Sequence, residues 1–137
     1  MKKIVSRCTI VFVLLLMGCT ENEPIENLTR VDVFKVTADG DYADEIIIAD
    51  LNTVDELSQA FDRIEWKRKT VAGMSSKENV KAVLFLEDDV NMPERLVEFY
   101  IWFEEGGTST ITEGDSYGRL DEVGTKVLKD VFKVKNE

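Results

Sequence analysis

The stretch that decides the fold is RLVEFYIWFE at residues 95–104, which is rich in aromatic and β-branched side chains. Such residues are favoured in strands, so the run predicts a β-strand. Successive side chains of a strand point to opposite faces of its sheet. One face therefore carries Val97, Phe99, Ile101 and Phe103, and the other carries Glu98, Tyr100 and Trp102. We assign the first set to a core covered by helices and the second set to a more open face.

Four further runs on either side of this strand predict the rest of the sheet. They lie at residues 30–37, 45–49, 80–86 and 108–112. Apolar residues at helical spacing predict one helix over residues 53–66 and another over residues 120–132. The predicted order is ββαβββα. Short links between consecutive strands favour antiparallel pairing, so we expect an α+β fold with an antiparallel sheet of about five strands and two helices.

Capping residues mark the starts of the two predicted helices. Thr53 and Glu56 have the spacing of a capping box, in which each side chain accepts from the backbone N–H of the other. Asp115 and Ser116 are the candidate caps of the second helix.

The N-terminal segment has the features of an export signal. Lys2, Lys3 and Arg7 form a positive region, and the apolar run IVFVLLLM follows at residues 10–17. This run is too short to span a bilayer as a helix, which takes roughly 20 apolar residues. A short apolar run behind positive charges is typical of a secretory signal, so we expect residues 1–18 to be a signal peptide.

The end of this segment, Leu16-Met17-Gly18-Cys19, resembles the lipobox of bacterial lipoproteins. The resemblance implies that the signal is cut before Cys19 and that the Cys19 sulfur carries a diacylglyceryl group. It also implies a protein anchored by lipid on the extracytoplasmic side of the cell membrane, with the membrane as its partner. An ordinary secreted protein and a retained transmembrane anchor are the alternatives.

The part of the chain that follows divides into a tether and a domain. Residues 19–29 are polar and acidic and contain Pro24, which predicts a flexible tether. Residues 30–137 are long enough for one small α+β domain. The whole chain resembles the small, mostly uncharacterised lipoproteins of Gram-positive bacteria, which share a lipobox, an acidic tether and a compact α+β domain. That resemblance implies no substrate.

Composition excludes several classes of function. The chain has 137 residues, with 17 Lys and Arg against 27 Asp and Glu, and its formal net charge of −10 argues against binding to nucleic acid. The sequence contains no His, which excludes Ser-His and Cys-His nucleophile pairs, a His base and His metal ligands. The acidic clusters at residues 39–45 and 87–89 lack the spacing of a calcium loop, so we expect solvated turns there. No metal and no cofactor is predicted.

Two groups of side chains are candidates for binding. Tyr100 and Trp102 on the open sheet face offer aromatic area to a partner, unless a loop covers them. The second group is the densest basic run after the signal, and a tryptophan beside three cations suits contact with an anionic lipid or wall-polymer surface. It consists of Trp66, Lys67, Arg68 and Lys69. A solvated helix end is the alternative interpretation of this run.

These observations favour a non-enzymatic binding module for a protein, a peptide or a cell-wall component. One alternative is an immunity-type lipoprotein that sequesters a cationic toxin peptide, which the negative charge of the chain would attract. Another alternative is a hydrolase that depends on carboxylates. No catalytic residue is predicted, because no motif distinguishes one of the 27 acidic residues from the others.

Overall fold

The computed structural model of the chain describes residues 25–70 and 73–134. Seven strands and two helices lie within these residues. In chain order they are β1 (Leu28–Lys35), β2 (Ile46–Ile48), α1 (Leu51–Asp62), β3 (Glu65–Lys67), β4 (Val80–Leu86), β5 (Arg95–Phe103), β6 (Ser109–Glu113), β7 (Ser116–Leu120) and α2 (Glu122–Phe132). Every pair of neighbouring strands is antiparallel, in the order β2-β1-β4-β5-β6-β7-β3. The predicted fold class, an α+β fold with an antiparallel sheet and two helices, is confirmed.

The predicted number of five strands is wrong, and β3 is one of the two strands that were missed. The pattern extended the first helix to Trp66, but α1 ends at Asp62 and the chain then becomes extended. Trp66 faces the core between the exposed Glu65 and Lys67. Three residues are too few for the alternation of a strand to be distinguished from the last turn of a helix.

The second missed strand is β7, which pairs with β6 across a tight turn. Gly114 in this turn has a φ of 56°, a conformation that glycine adopts without strain. The inward positions of β7 are Ser116, Gly118 and Leu120, so the strand has only one large apolar residue facing the core. A strand with so little apolar alternation is read from the sequence as a loop.

The inward face of the sheet follows the alternation of β5. Phe99 and Ile101 are buried, and they lie opposite Ala82 and Val80 of β4. Both helices cover this face, and their buried side chains complete the core. These side chains are Val54, Leu57, Ala60 and Phe61 of α1 and Leu128 and Phe132 of α2.

Phe99 is the point where the central strand, the first helix and one edge of the sheet meet. Its ring contacts Phe61 of α1 edge-on at 5.2 Å between centroids, and contacts Trp66 of β3 at 5.5 Å. Gly118 of β7 allows Trp66 to lie so close, because a Cβ there would be 2.3 Å from Cγ2 of Ile64 and 3.0 Å from the Trp66 ring. The absence of a side chain at Gly118 therefore shapes the core around Phe99.

The first helix begins at Leu51, two residues earlier than predicted. Asp50 is its N-cap, and one oxygen of its carboxylate accepts from the Thr53 N–H at 3.0 Å and from the Thr53 hydroxyl at 2.9 Å. Thr53 thus lies inside the first turn, and the predicted capping box of Thr53 and Glu56 is wrong. An acidic cap is preferred because ionised oxygens accept strongly from the free N–H groups at a helix start.

The second helix is capped by Asp121 rather than by Asp115 or Ser116. The Asp121 carboxylate accepts from the Gly124 N–H at 2.9 Å. The predicted caps lie in the turn and the strand of the β6–β7 hairpin, where no helix starts. Asp121 also forms an ion pair with Arg63, the residue that follows α1, and so links the two helices.

The N-terminal end of the described chain packs on α1. The Ile25 N–H donates to Asp62 at 2.8 Å, and the Ser58 hydroxyl donates to the Ile25 carbonyl at 3.1 Å. β1 then begins at Leu28, two residues before the predicted domain boundary. The predicted signal peptide and Cys19 lie outside the described residues. In the described part of the chain, no helix is long and apolar enough to cross a membrane.

We expect Phe99→Ala to lower the free energy of unfolding by about 3–5 kcal/mol, because it leaves a cavity between α1, β3 and the sheet. Urea unfolding followed by circular dichroism measures this change. Leu96→Ala is the matched control, since Leu96 lies on the same strand but is 56% exposed. A similar loss in both variants would contradict the central position of Phe99.

Candidate functional site

The sheet face opposite the helices carries the predicted binding residues Tyr100 and Trp102. Both are partly exposed, and neither helix of the described residues covers them. The Trp102 indole N–H donates to the Ser76 carbonyl at 2.9 Å, so the loop before β4 fixes the ring at one edge. Tyr100 belongs to a larger group of side chains on this face, whereas Trp102 lies beside that group.

This group is an aromatic–carboxylate cluster brought together from β1, β4, β5 and their loops. Its members are Phe34, Tyr42, Glu78, Lys81, Glu98 and Tyr100. The Lys81 ammonium lies 5.9 Å from the ring centroid of Phe34, 5.7 Å from that of Tyr42 and 5.9 Å from that of Tyr100. It also pairs with Glu98 at 3.5 Å. A cation of the chain itself therefore fills the space between the three rings.

The two tyrosine hydroxyls of the cluster each donate to a carboxylate. Tyr42 donates to Glu78 at 2.7 Å, and Tyr100 donates to Glu98 at 3.0 Å. Burial and the hydrogen bond to Glu78 raise the pKa of Tyr42 to about 12. The hydrogen bond to Glu98 likewise raises the pKa of Tyr100. Both hydroxyls stay protonated at neutral pH, so the cluster is a hydrogen-bonded network and not a poised acid–base pair.

The structure corrects the predicted surface contact of the basic run that begins at Trp66. Trp66 is only 8% exposed and packs against Phe99, so its ring is not available to a lipid or polymer surface. Arg68 lies over the Trp66 ring at 4.6 Å and pairs with Glu113 at 3.2 Å. Lys67 and Lys69 remain exposed. The tryptophan belongs to the core because its indole sits on the inward side of β3.

A second group of charges joins β1 to the residue that precedes β2. Arg30 donates twice to Asp32, at 2.6 and 2.7 Å, and Asp32 is 4% exposed. Glu45, just before β2, lies 4.0 Å from Arg30, and a hydrogen bond with Asp32 raises the pKa of Glu45.

Among the described residues, no group of three or more acidic or Cys side chains is placed to hold a metal ion.

Beside β2 lies a groove of about 550 Å³ between this strand, the start of α1 and the end of α2. Part of its lining is apolar and part of it is charged. The lining residues are Ile46, Ile47, Ile48, Ala49, Asp50, Thr53, Glu56, Asp130, Val131 and Lys133. A groove of this volume matches the size of the sites that hold small molecules.

The three carboxylates of the groove differ in their surroundings. Asp50 accepts from Thr53, and these hydrogen bonds lower the pKa of Asp50, so it stays ionised and is a weak base. Glu56 and Asp130 are exposed, and no hydrogen bond or ion pair joins either side chain to another residue in the described part of the chain. They are therefore the carboxylates that are free to meet a ligand or a water molecule.

Sequence reasoning missed both the cluster and the groove. The cluster joins Tyr42 to Glu78 and Lys81, which are about 36 positions further along the chain. The groove joins residues 46–56 to residues 130–133. A usable signal was Asp50, an acidic residue directly before a segment with apolar residues at helical spacing, which marks the helix start beside the groove.

Comparison with known proteins gives a likeness in fold. No family model matches the chain, and none of the curated proteins does either. Among solved structures, the chain is similar to the crystal structure of a thioesterase-like protein from Clostridium sporogenes ATCC 15579, at 20% sequence identity and a TM-score of 0.57. The match covers 82% of this chain and 100% of that one.

This likeness corrects the predicted function. The chain was expected to be a non-enzymatic binding module, with an immunity-type lipoprotein as one alternative. Its fold is instead shared with a thioesterase-like protein. The sequence could not indicate this, because an identity of 20% leaves too little common sequence for the shared fold to be recognised.

We expect Tyr42→Phe to lower the free energy of unfolding by about 1–3 kcal/mol at pH 7, since it removes a donor from Glu78, which is 7% exposed. Tyr100→Phe is the matched control and should lose clearly less, because its acceptor Glu98 is exposed. Urea unfolding measures both changes, and equal losses would contradict the role of burial at Glu78.

The raised pKa of Tyr42 also has a consequence at alkaline pH. The folded state favours the neutral phenol, so this contribution to stability is complete below pH 10.0 and is lost as the pH rises through about 12. Absorbance titration of the folded protein near 295 nm should show a phenol ionising near pH 12 that Tyr42→Phe removes. A wild-type titration complete near pH 10 would contradict the assignment.

Proposed function

We propose that this chain is a carboxylate-dependent hydrolase of acyl esters or thioesters that acts in the groove beside β2. The observation that carries the proposal is the groove itself, whose lining combines apolar residues with two exposed carboxylates and an ammonium group. The likeness in fold to a thioesterase-like protein supports this class of reaction. We further propose that a lipid on Cys19 holds the enzyme at the outer surface of the cell membrane.

The apolar lining of the groove suits the acyl part of such a substrate. It is formed by β2 and by Val131 of α2. Ile47 in the middle of β2 lines the groove and is 55% exposed. Removing this apolar area from water on binding is favourable by roughly 25 cal/mol per Å².

The charged lining supplies groups for hydrolysis. The sequence contains no His, and the base we propose is one of the two exposed carboxylates of the groove, Glu56 or Asp130. In the proposed reaction, one of them takes a proton from water as the oxygen of that water attacks the carbonyl carbon. The bond from this carbon to sulfur or oxygen then breaks, and the carboxylic acid returns the proton to the leaving thiolate or alkoxide.

Lys133 is the positive group of the groove. It follows α2 in a left-handed conformation with a φ of 58°, which turns the chain at the end of the helix. In the proposed reaction its ammonium group stabilises the negative charge that develops on the carbonyl oxygen when water attacks. This role requires no nucleophilic side chain, which agrees with the absence of a nucleophile–base motif in the sequence.

The proposed reaction is tested with short-chain thioesters and a thiol-reactive dye. We expect the wild type to release thiol above the uncatalysed rate, and Glu56→Gln or Asp130→Asn to lower kcat/KM by about 10²-fold or more, depending on which carboxylate is the base. Asp55→Asn is the matched control, because Asp55 is an exposed acid of the same helix that bonds to Gln59 outside the groove.

Full activity in both groove variants would place the chemistry elsewhere. A wild type that releases no thiol from thioesters and no alcohol from esters would contradict the proposed function. Circular dichroism of each variant separates a loss of activity from a loss of fold.

Lipid anchoring is tested by metabolic labelling with an alkyne fatty acid in a Gram-positive host. We expect the wild type to be labelled and to remain with the membrane, and Cys19→Ala to lose the label because no other cysteine follows the proposed cleavage point. Cys8→Ala is the matched control and should keep the label. Label that persists in Cys19→Ala, or that depends on Cys8, would contradict the proposal.

A further inference from the structure

Carboxylates outnumber ammonium groups along the groove. Asp50, Glu56 and Asp130 contribute three carboxylates to the lining and Lys133 contributes one ammonium group. The Lys35 ammonium lies next to Lys133 and donates to its carbonyl at 3.3 Å. The chain as a whole carries a formal net charge of −10, which attracts cations and repels anions at longer range. A ligand with a positive group gains from both, and a ligand with phosphates is repelled by both.

The start of α1 does not offset this imbalance. A helix N-terminus often binds phosphate through its free N–H groups. In this helix the Thr53 N–H is taken by Asp50, whose low pKa keeps it ionised at neutral pH. The end of the groove where an anion would otherwise bind therefore carries a negative charge.

We infer that the groove selects esters or thioesters with an apolar acyl part and a leaving group that carries a positive ammonium, and that it rejects nucleotide thioesters. This inference rests on the proposed function and names its substrate class. The acyl part lies on the apolar lining of β2 and Val131, and the ammonium lies near the carboxylates. Hydrolysis consumes one water and releases the acid and a thiol or alcohol that keeps its positive charge.

The test compares three thioesters with the same acyl group, butyrylthiocholine, S-ethyl thiobutyrate and butyryl-CoA. Each kcat/KM is divided by the rate of that thioester with hydroxide, which removes differences in chemical reactivity. We expect butyrylthiocholine to exceed S-ethyl thiobutyrate by about tenfold at low salt, and butyryl-CoA to be the poorest substrate. The advantage should shrink at 0.5 M NaCl, because salt screens the attraction.

The local origin of the preference is tested with Asp50→Asn, since asparagine caps a helix about as well as aspartate. The ratio of the cationic to the neutral substrate should fall by about threefold to fivefold. Asp55→Asn changes the net charge of the chain equally but lies outside the groove, so it should leave the ratio unchanged. An equal fall in both variants would overturn a local selection by the groove.

The outcomes separate this inference from the proposed function. Equal normalised rates for the cationic and neutral thioesters, or a preference for butyryl-CoA, would overturn the inference while leaving the hydrolase. If no thioester is hydrolysed, the proposed function fails, and calorimetry with octyltrimethylammonium and octyl sulfate decides the ligand class. Binding of the ammonium that Asp50→Asn weakens supports the inference, and equal or absent binding of both probes overturns it.

Discussion

The packing of Phe99 is the constraint on which the rest of the structure depends. Its ring lies where the central strand β5, the helix α1 and the edge strand β3 meet, in contact with Phe61 and Trp66. These contacts fix α1 across the sheet, and α1 in turn forms one wall of the groove. The glycine at position 118 is part of the same constraint, because any side chain there would push Trp66 away from Phe99. The position of the groove therefore depends on an aromatic contact in the core whose residues do not line the groove.

Much of the fold follows from local patterns in the sequence. β4 and β5 alternate over seven and nine residues, and both are found where the alternation places them. β3 and β7 were not predicted because distant partners decide which of their residues are buried. Trp66 faces inward only because Gly118 makes room for it. The helix starts were shifted for a related reason. Several acidic and hydroxyl residues precede each apolar stripe, and tertiary packing decides which of them becomes the cap.

The candidate site was much less predictable than the fold. Tyr100 and Trp102 point to the open face, as the alternation indicates. Tyr42, Glu78 and Lys81 meet Tyr100 there only because β4 lies between β1 and β5. The groove depends on the meeting of β2 with the end of α2, which no local pattern encodes. The chain has 27 acidic residues, so the few that line a groove do not stand out until the fold selects them.

The short strands at the two ends of the sheet have a consequence for how copies of this chain behave together. β2 and β3 each extend over three residues, and Glu65 and Lys67 place opposite charges on the outer end of the sheet. An open strand border is a template on which a second molecule can continue the ladder and start an aggregate. An edge strand of three residues offers too few backbone hydrogen bonds to bind a strand from another molecule. The short edge strands therefore disfavour the addition of a strand from a second copy of the chain.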